Sequence, residues 1–170
     1  APLTQSAVSI TAPAVVTAEV VVGIELDLSA GGSVAVTASP LTTLIDSRVV
    51  GSPAQGVTLD GANRMMRTDV VGPVLTLASG SLVAIHGNYG PFVQQSDTAL
   101  QLARCVVGPI TAGHGSLASL GTFHDGPLVG AGTNLRISTS TFRVSGAAIT
   151  LAGGTVIAAN TLFDGTDAGI

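Results

Sequence analysis

Apolar and polar positions in this chain recur over a long step. Val106-Val107-Gly108-Pro109-Ile110 has near-copies on both sides, in Val70-Val71-Gly72-Pro73-Val74, Tyr89-Gly90-Pro91-Phe92 and Asp125-Gly126-Pro127-Leu128. The Gly-Pro pair falls at 72, 90, 108 and 126, three consecutive steps of 18 residues. A fixed period of this size marks a stacked repeat. Between the markers the pattern is that of short strands. Ile24-Glu25-Leu26-Asp27-Leu28 alternates apolar and acidic residues, the period-2 signature of a half-buried strand. Val34-Ala35-Val36-Thr37 reads as the next strand, which Ser39-Pro40 breaks. Turn signals follow at Ala30-Gly31-Gly32-Ser33, Ala78-Ser79-Gly80, Gly113-His114-Gly115, Gly130-Ala131-Gly132 and Gly153-Gly154. No helical period appears.

The marker glycine extends backwards to Gly51 and Gly23 and forwards to Gly146 and Gly165. One residue before it stand Val22, Val50, Val71, Tyr89 and Val107. Two residues after it stand Val74, Phe92, Ile110, Leu128 and Ala148. Both columns are apolar, so both are expected to point inward and stack. The first column fails at Asp125, Ser145 and Asp164, where Phe123, Phe142 and Leu162 or Phe163 are expected to take the inward place. The architecture this predicts is an all-β, right-handed parallel β-helix, a solenoid of about 8 coils with 18–21 residues per coil. Its rise is about 4.8 Å per coil. Residues 1–20 read as a lead-in coil or an N-terminal cap strand, and residues 21–170 as the repeats. Glycine suits the corners through positive φ, and proline through its missing N–H. The left-handed form places an aliphatic residue every six positions. From Val71 that phase buries Gln95 and Gln101 in succession, which favours the right-handed form.

Three segments carry a resemblance: Ile45-Asp46-Ser47-Arg48-Val49-Val50-Gly51, Leu102-Ala103-Arg104-Cys105-Val106-Val107-Gly108-Pro109 and Leu162-Phe163-Asp164-Gly165. With them the chain resembles, over about residues 20–165, right-handed parallel β-helix domains of bacterial origin, the pectate-lyase-like solenoids. Some of these accompany phage-tail-like or contractile-injection genes. The resemblance implies a structural or surface part in a bacterial cytoplasmic assembly or an extracellular, virion-like appendage. It implies no set of catalytic residues.

Composition narrows the function. Apolar residues make up 46% of the 170, and charged residues only 9%, against about 25% in an average domain. Small polar residues must therefore cover the outside. All six basic residues are arginines, they are scattered, and the net charge is −4. That leaves no basic footprint for nucleic acid. No apolar run reaches the ~18 residues of a membrane-spanning helix, and no signal peptide is visible at Ala1. Cys105 is the only cysteine, which excludes an intrachain disulfide and a paired-cysteine metal site.

No catalytic, cofactor or metal residues are assigned. Asp46, Asp60, Asp69, Asp97, Asp125, Asp164 and Asp167 sit at different phases of the coil and read as turn residues. Glycoside hydrolysis needs two convergent carboxyl groups, and only Asp125 with Asp164, two coils apart, comes near. His86, His114 and His124 lack a common phase for zinc and read as surface or corner residues. Cys105 reads as a small buried hydrophobe. Arg48 and Asp69 share a position in adjacent coils and are expected to pair if both face out. Gly130-Ala131-Gly132 lacks the Lys and Ser/Thr of a phosphate loop. The function expected is a non-catalytic structural or scaffold module, with self-association or stacking on another protein domain through its open ends. The alternative is a carbohydrate-binding or polysaccharide-cleaving β-helix of the tailspike or pectate-lyase kind.

Overall fold

The computed structural model describes residues 6–95 and 97–165, and among them every regular element is a strand. The strands stack in parallel into a β-solenoid of about nine turns. One sheet holds nine strands: Ser6–Ser9, Ile24–Asp27, Arg48–Val50, Asp69–Val71, Asn88–Tyr89, Val106–Val107, Phe123–His124, Thr141–Arg143 and Leu162–Asp164. The second sheet has two wings. Ile110–Ala112 lies in one wing and Gly115–Leu120 in the other, and the long strand Leu128–Ser138 pairs with both. Its buried positions change phase at Ala131-Gly132, so the strand turns a corner there. Each turn therefore has three sides: the nine-stranded sheet and the two wings.

The registers show which residues stack. On the first side the inward column runs Leu26, Val49, Val70, Tyr89, Val107, His124, Phe142, Phe163. This corrects the column expected one residue before the marker. Val71 and Val22 are exposed, and Val70 and Val49 are the buried partners of Tyr89 and its neighbours. The reason is spacing: Tyr89 and Val107 touch their Gly-Pro corner directly, whereas Val71 is an extra residue between Val70 and Gly72. At the next turn His124 is buried, and Phe123 only half so. On the second side Phe92, Ile110 and Leu128 stack as expected, but Leu75 and Ile149, not Val74 and Ala148, extend their column. Burying one such aliphatic side chain contributes about 1.5–3 kcal/mol.

The Gly-Pro corners serve the ladder. The amides of Gly90 and Gly108 donate to the carbonyls of Val70 and Tyr89 on the preceding turn, at 3.0 and 2.9 Å. The carbonyls of Pro109 and Pro127 accept from Phe92 and Ile110, at 2.8 and 2.9 Å. Of the marker glycines, Gly23 (φ 64°), Gly72 (97°) and Gly146 (96°) take positive φ as expected, and Gly90 and Gly108 do not. At Gly108 the requirement is close approach, since a Cβ would lie 3.1 Å from the Gly90 carbonyl.

The left-handed backbone column sits at a different corner, where the third side returns to the first. It is carried mostly by residues with side chains: Asp46 (φ 50°), Arg67 (49°), His86 (54°), Arg104 (54°), Thr139 (51°) and Asn160 (51°). The residue after each is small and inward: Ser47, Thr68, Gly87, Cys105, Ser140, Thr161. The Ser47, Ser140 and Thr161 hydroxyls donate to the carbonyl two residues back, at 2.9, 3.0 and 3.2 Å. At these corners a small polar side chain thus satisfies a carbonyl released by the turn. Ser39-Pro40, read as a strand break, lies inside the strand Val34–Ile45, at the register shift between Thr37 and Leu41.

Candidate functional site

The acidic residues are spread around the solenoid, and several are engaged locally. The Asp46 carboxylate accepts from Arg67 Nε and Nη2 at 2.5 and 2.9 Å, and that guanidinium holds its pKa below the usual carboxylate range. Asp60 accepts from the Ser79 hydroxyl. Asp69 Oδ1 accepts from both the backbone N and Nδ2 of Asn88, at 2.8 and 3.0 Å. Asp97 occupies a corner at φ 62°. Asp164 faces Arg143 at 3.9 Å. Asp125 is exposed on the first side, and Asp167 lies outside the described residues. Arg48 is in register with Asp69 as expected, yet its ion pair is with Glu25 on the other neighbouring strand, at 3.6 Å.

Cys105 is buried, as expected. Its thiol donates to the carbonyls of Ala84 and Ala103, at 3.4 and 3.3 Å, and burial raises its pKa, so the thiolate is disfavoured. The single Tyr, Tyr89, is also in the core, with its hydroxyl buried and unpartnered; burial pushes its pKa up. No ring stacking on an external sugar is open to it.

His86 and His114 are exposed corner residues, as expected, and His124 is not. His124 is fully buried in the inward column, its ring stacked on Phe142 with centroids 4.1 Å apart and planes 1° from parallel. Its Nε2 lies 2.9 Å from Ser119 Oγ, which lies 3.3 Å from Ser140 Oγ. Ser140 Oγ accepts from the Thr122 amide and donates to the Ser138 carbonyl. One direction of donation satisfies every hydroxyl: Nε2–H to Ser119, Ser119 to Ser140, Ser140 to Ser138. That order places the proton on Nε2 and leaves the unpartnered Nδ1 as a bare lone pair. Burial lowers the pKa to about 4, so the ring is neutral at pH 7. A Ser–His pair recalling hydrolytic chemistry is present, but it has no carboxylate partner and no path to a substrate. Its role is in the core. Sequence reasoning missed it because the ring is one residue out of phase with Val107 relative to the glycine marker. The small residue two positions earlier gives the true phase: Cys105 before Val107, Thr122 before His124, Ser140 before Phe142.

Among the described residues no group of three or more His, Cys, Asp or Glu could hold a metal ion, and no helix is long and apolar enough to cross a membrane. The surface that stands out is the backbone itself. Ile149–Ala159 pairs only with Leu128–Ser138, and Leu162–Asp164 only with Thr141–Arg143. Among the described residues no strand covers their other edges. The inward side chains of this rung, Leu151, Val156 and Phe163, are half-buried, whereas their counterparts one rung back are buried. No family model, no curated protein and no solved structure matches the chain.

Proposed function

We propose that this chain is a non-catalytic structural module, a stretch of rigid solenoid that joins a further rung-bearing segment in a larger assembly. The setting we propose is that of the domains it resembles, a bacterial phage-tail-like or surface appendage. The reading is supported by the last described rung. It presents an 11-residue strand, Ile149–Ala159, whose outer edge no described strand covers, beside half-buried apolar side chains. Such an edge is a template for another strand. The scattered carboxylates, buried Tyr89 and enclosed His124 leave the carbohydrate alternative without a supporting observation.

Sedimentation velocity over a wide concentration range, paired with amide hydrogen exchange, tests the proposal. The expected result is association, with protection of the Ile149–Ala159 amides that rises with concentration, and loss of both in Val156→Lys. A monomer at every concentration, with those amides already as slow to exchange as Gly115–Leu120, would remove the proposal.

A further inference from the structure

The outer face of the third side has a character unlike the rest of the molecule. Its outward positions, from Leu41, Thr43 and Ile45 on one rung to Thr155, Ile157 and Ala159 six rungs on, hold no carboxylate among the described residues. Their only charges are Arg64 and Arg136, in a chain whose net charge is −4. Midway along, two consecutive rungs carry alanines, Ala103 and Ala118, where neighbouring rungs carry long side chains. The result is a depression of about 500 Å³ walled by Ile85, Leu120 and Ile157. That volume lies in the range of small-molecule sites, about 300–1,000 Å³.

Two polar groups flank the floor. Gln101, Ala118 and Arg136 are register partners on three successive rungs, so the amide and the guanidinium stand on either side of Ala118. Among the described residues neither side chain has a hydrogen-bond or ion-pair partner. An aliphatic hollow with one unpaired guanidinium at its margin complements a ligand that is apolar over most of its length and anionic at one end. The depression crosses five rungs, from Val83 to Ile157, a span of about 19 Å at the rise of a parallel sheet. That suits an extended chain better than a compact ring.

We infer that this depression binds an aliphatic carboxylate, its chain on the Ala103–Ala118 floor and its carboxylate on the Arg136 guanidinium, with the Gln101 amide as a second donor. The site reaches the last described rung through Ile157 and Ala159, while its floor and its two polar groups lie on the three rungs before it.

Isothermal titration of the full 170-residue chain with dodecanoate, kept below its micellar concentration, tests this. Dodecanol and dodecylammonium serve as uncharged and oppositely charged controls. The expected result is saturable binding of one dodecanoate, at least tenfold tighter than either control. Arg136→Gln should weaken it at least tenfold and erase the preference over dodecanol. Ala118→Leu, which fills the floor from the solvent side, should abolish it. Thermal melts of both variants should match the parent, since both positions face outward. Absence of dodecanoate binding, equal binding of dodecylammonium, or binding unchanged in both variants would overturn the inference.

Discussion

Acid should weaken this fold through one residue, and the amount can be worked out. His124 is enclosed as a neutral ring, with its pKa lowered by burial to about 4. In the unfolded chain it titrates near about 6.5. Because the folded-state value is depressed, the stability it confers is fully present above pH 6.5. It is lost as pH falls through the window down to 4, where the unfolded chain takes up a proton that the folded chain refuses. For one such group the loss is about 1.4 kcal/mol at pH 5.5 and about 3 kcal/mol at pH 4. Other groups titrate in this range, so the comparison is with His124→Phe. Phenylalanine keeps the stack on Phe142, and Ser119 Oγ retains Ser140 at 3.3 Å. The lost hydrogen bond to Ser119 costs about 1 kcal/mol and is offset in part by removal of the unpartnered Nδ1. The assay is urea unfolding of both proteins at pH 7.5, 5.5 and 4. The two should lie close together at pH 7.5 and diverge on acidification, the variant losing less stability. Parallel curves from pH 7.5 to 4 would refute the reasoning, because they would mean that the ring can protonate in the folded state.

Three further substitutions probe the columns. Val107→Asp puts a carboxylate into a fully buried position between Tyr89 and His124; it should cost several kcal/mol, of order 3 or more, in denaturant unfolding. Gly87 replaces the Ser, Thr or Cys of other turns because a Cβ there would run into the Tyr89 Oη and the Thr68 carbonyl. Gly87→Ser should therefore lower the melting temperature, and adding Tyr89→Val should recover part of the loss, a coupling of about 0.5–3 kcal/mol in a double-mutant cycle. Gly121 holds the left-handed corner at φ 58°, where Asn160 sits at 51°. Gly121→Asn should melt within a few degrees of the parent, while β-branched Gly121→Val should melt well below it.

The periodic markers made the solenoid legible: Gly-Pro at four positions in equal steps of 18 residues has few other physical causes than stacked corners. The inward phase was harder to read. A valine pair such as Val70-Val71 offers two equally apolar candidates, and only the distance from the preceding corner decides between them. The signal that resolves it is weak in any one turn, a single small residue two positions before the buried one. It becomes persuasive only when Ser47, Thr68, Cys105, Thr122 and Ser140 are aligned. His124 was illegible for a related reason. A histidine between Phe123 and Asp125 has no local mark of burial, and its partners Ser119 and Ser140 come from the same turn's third side and the next turn. The depression at Ala103 and Ala118 is likewise a property of register. Alanine is silent in a sequence until the longer side chains above and below it are known. Positive φ at the corners was legible for glycines such as Gly72 and Gly146, but not that Asp46, Arg67, His86 and Arg104 also bear it.

The stacked rungs themselves can be measured as a ruler. Arg48, Asp69, Asn88, Val106, Phe123, Thr141 and Leu162 are successive outward positions on the first side. With Cys105→Ser as background, which keeps a small hydroxyl in the column of Ser47 and Ser140, spin labels can be placed at Arg48 and at one later position. At about 4.8 Å per rung, pulsed dipolar spectroscopy should return backbone separations of about 19, 24 and 29 Å for partners at Phe123, Thr141 and Leu162. A steady increment per rung is the predicted result. Distances that fail to rise in order along Phe123, Thr141 and Leu162 would contradict it.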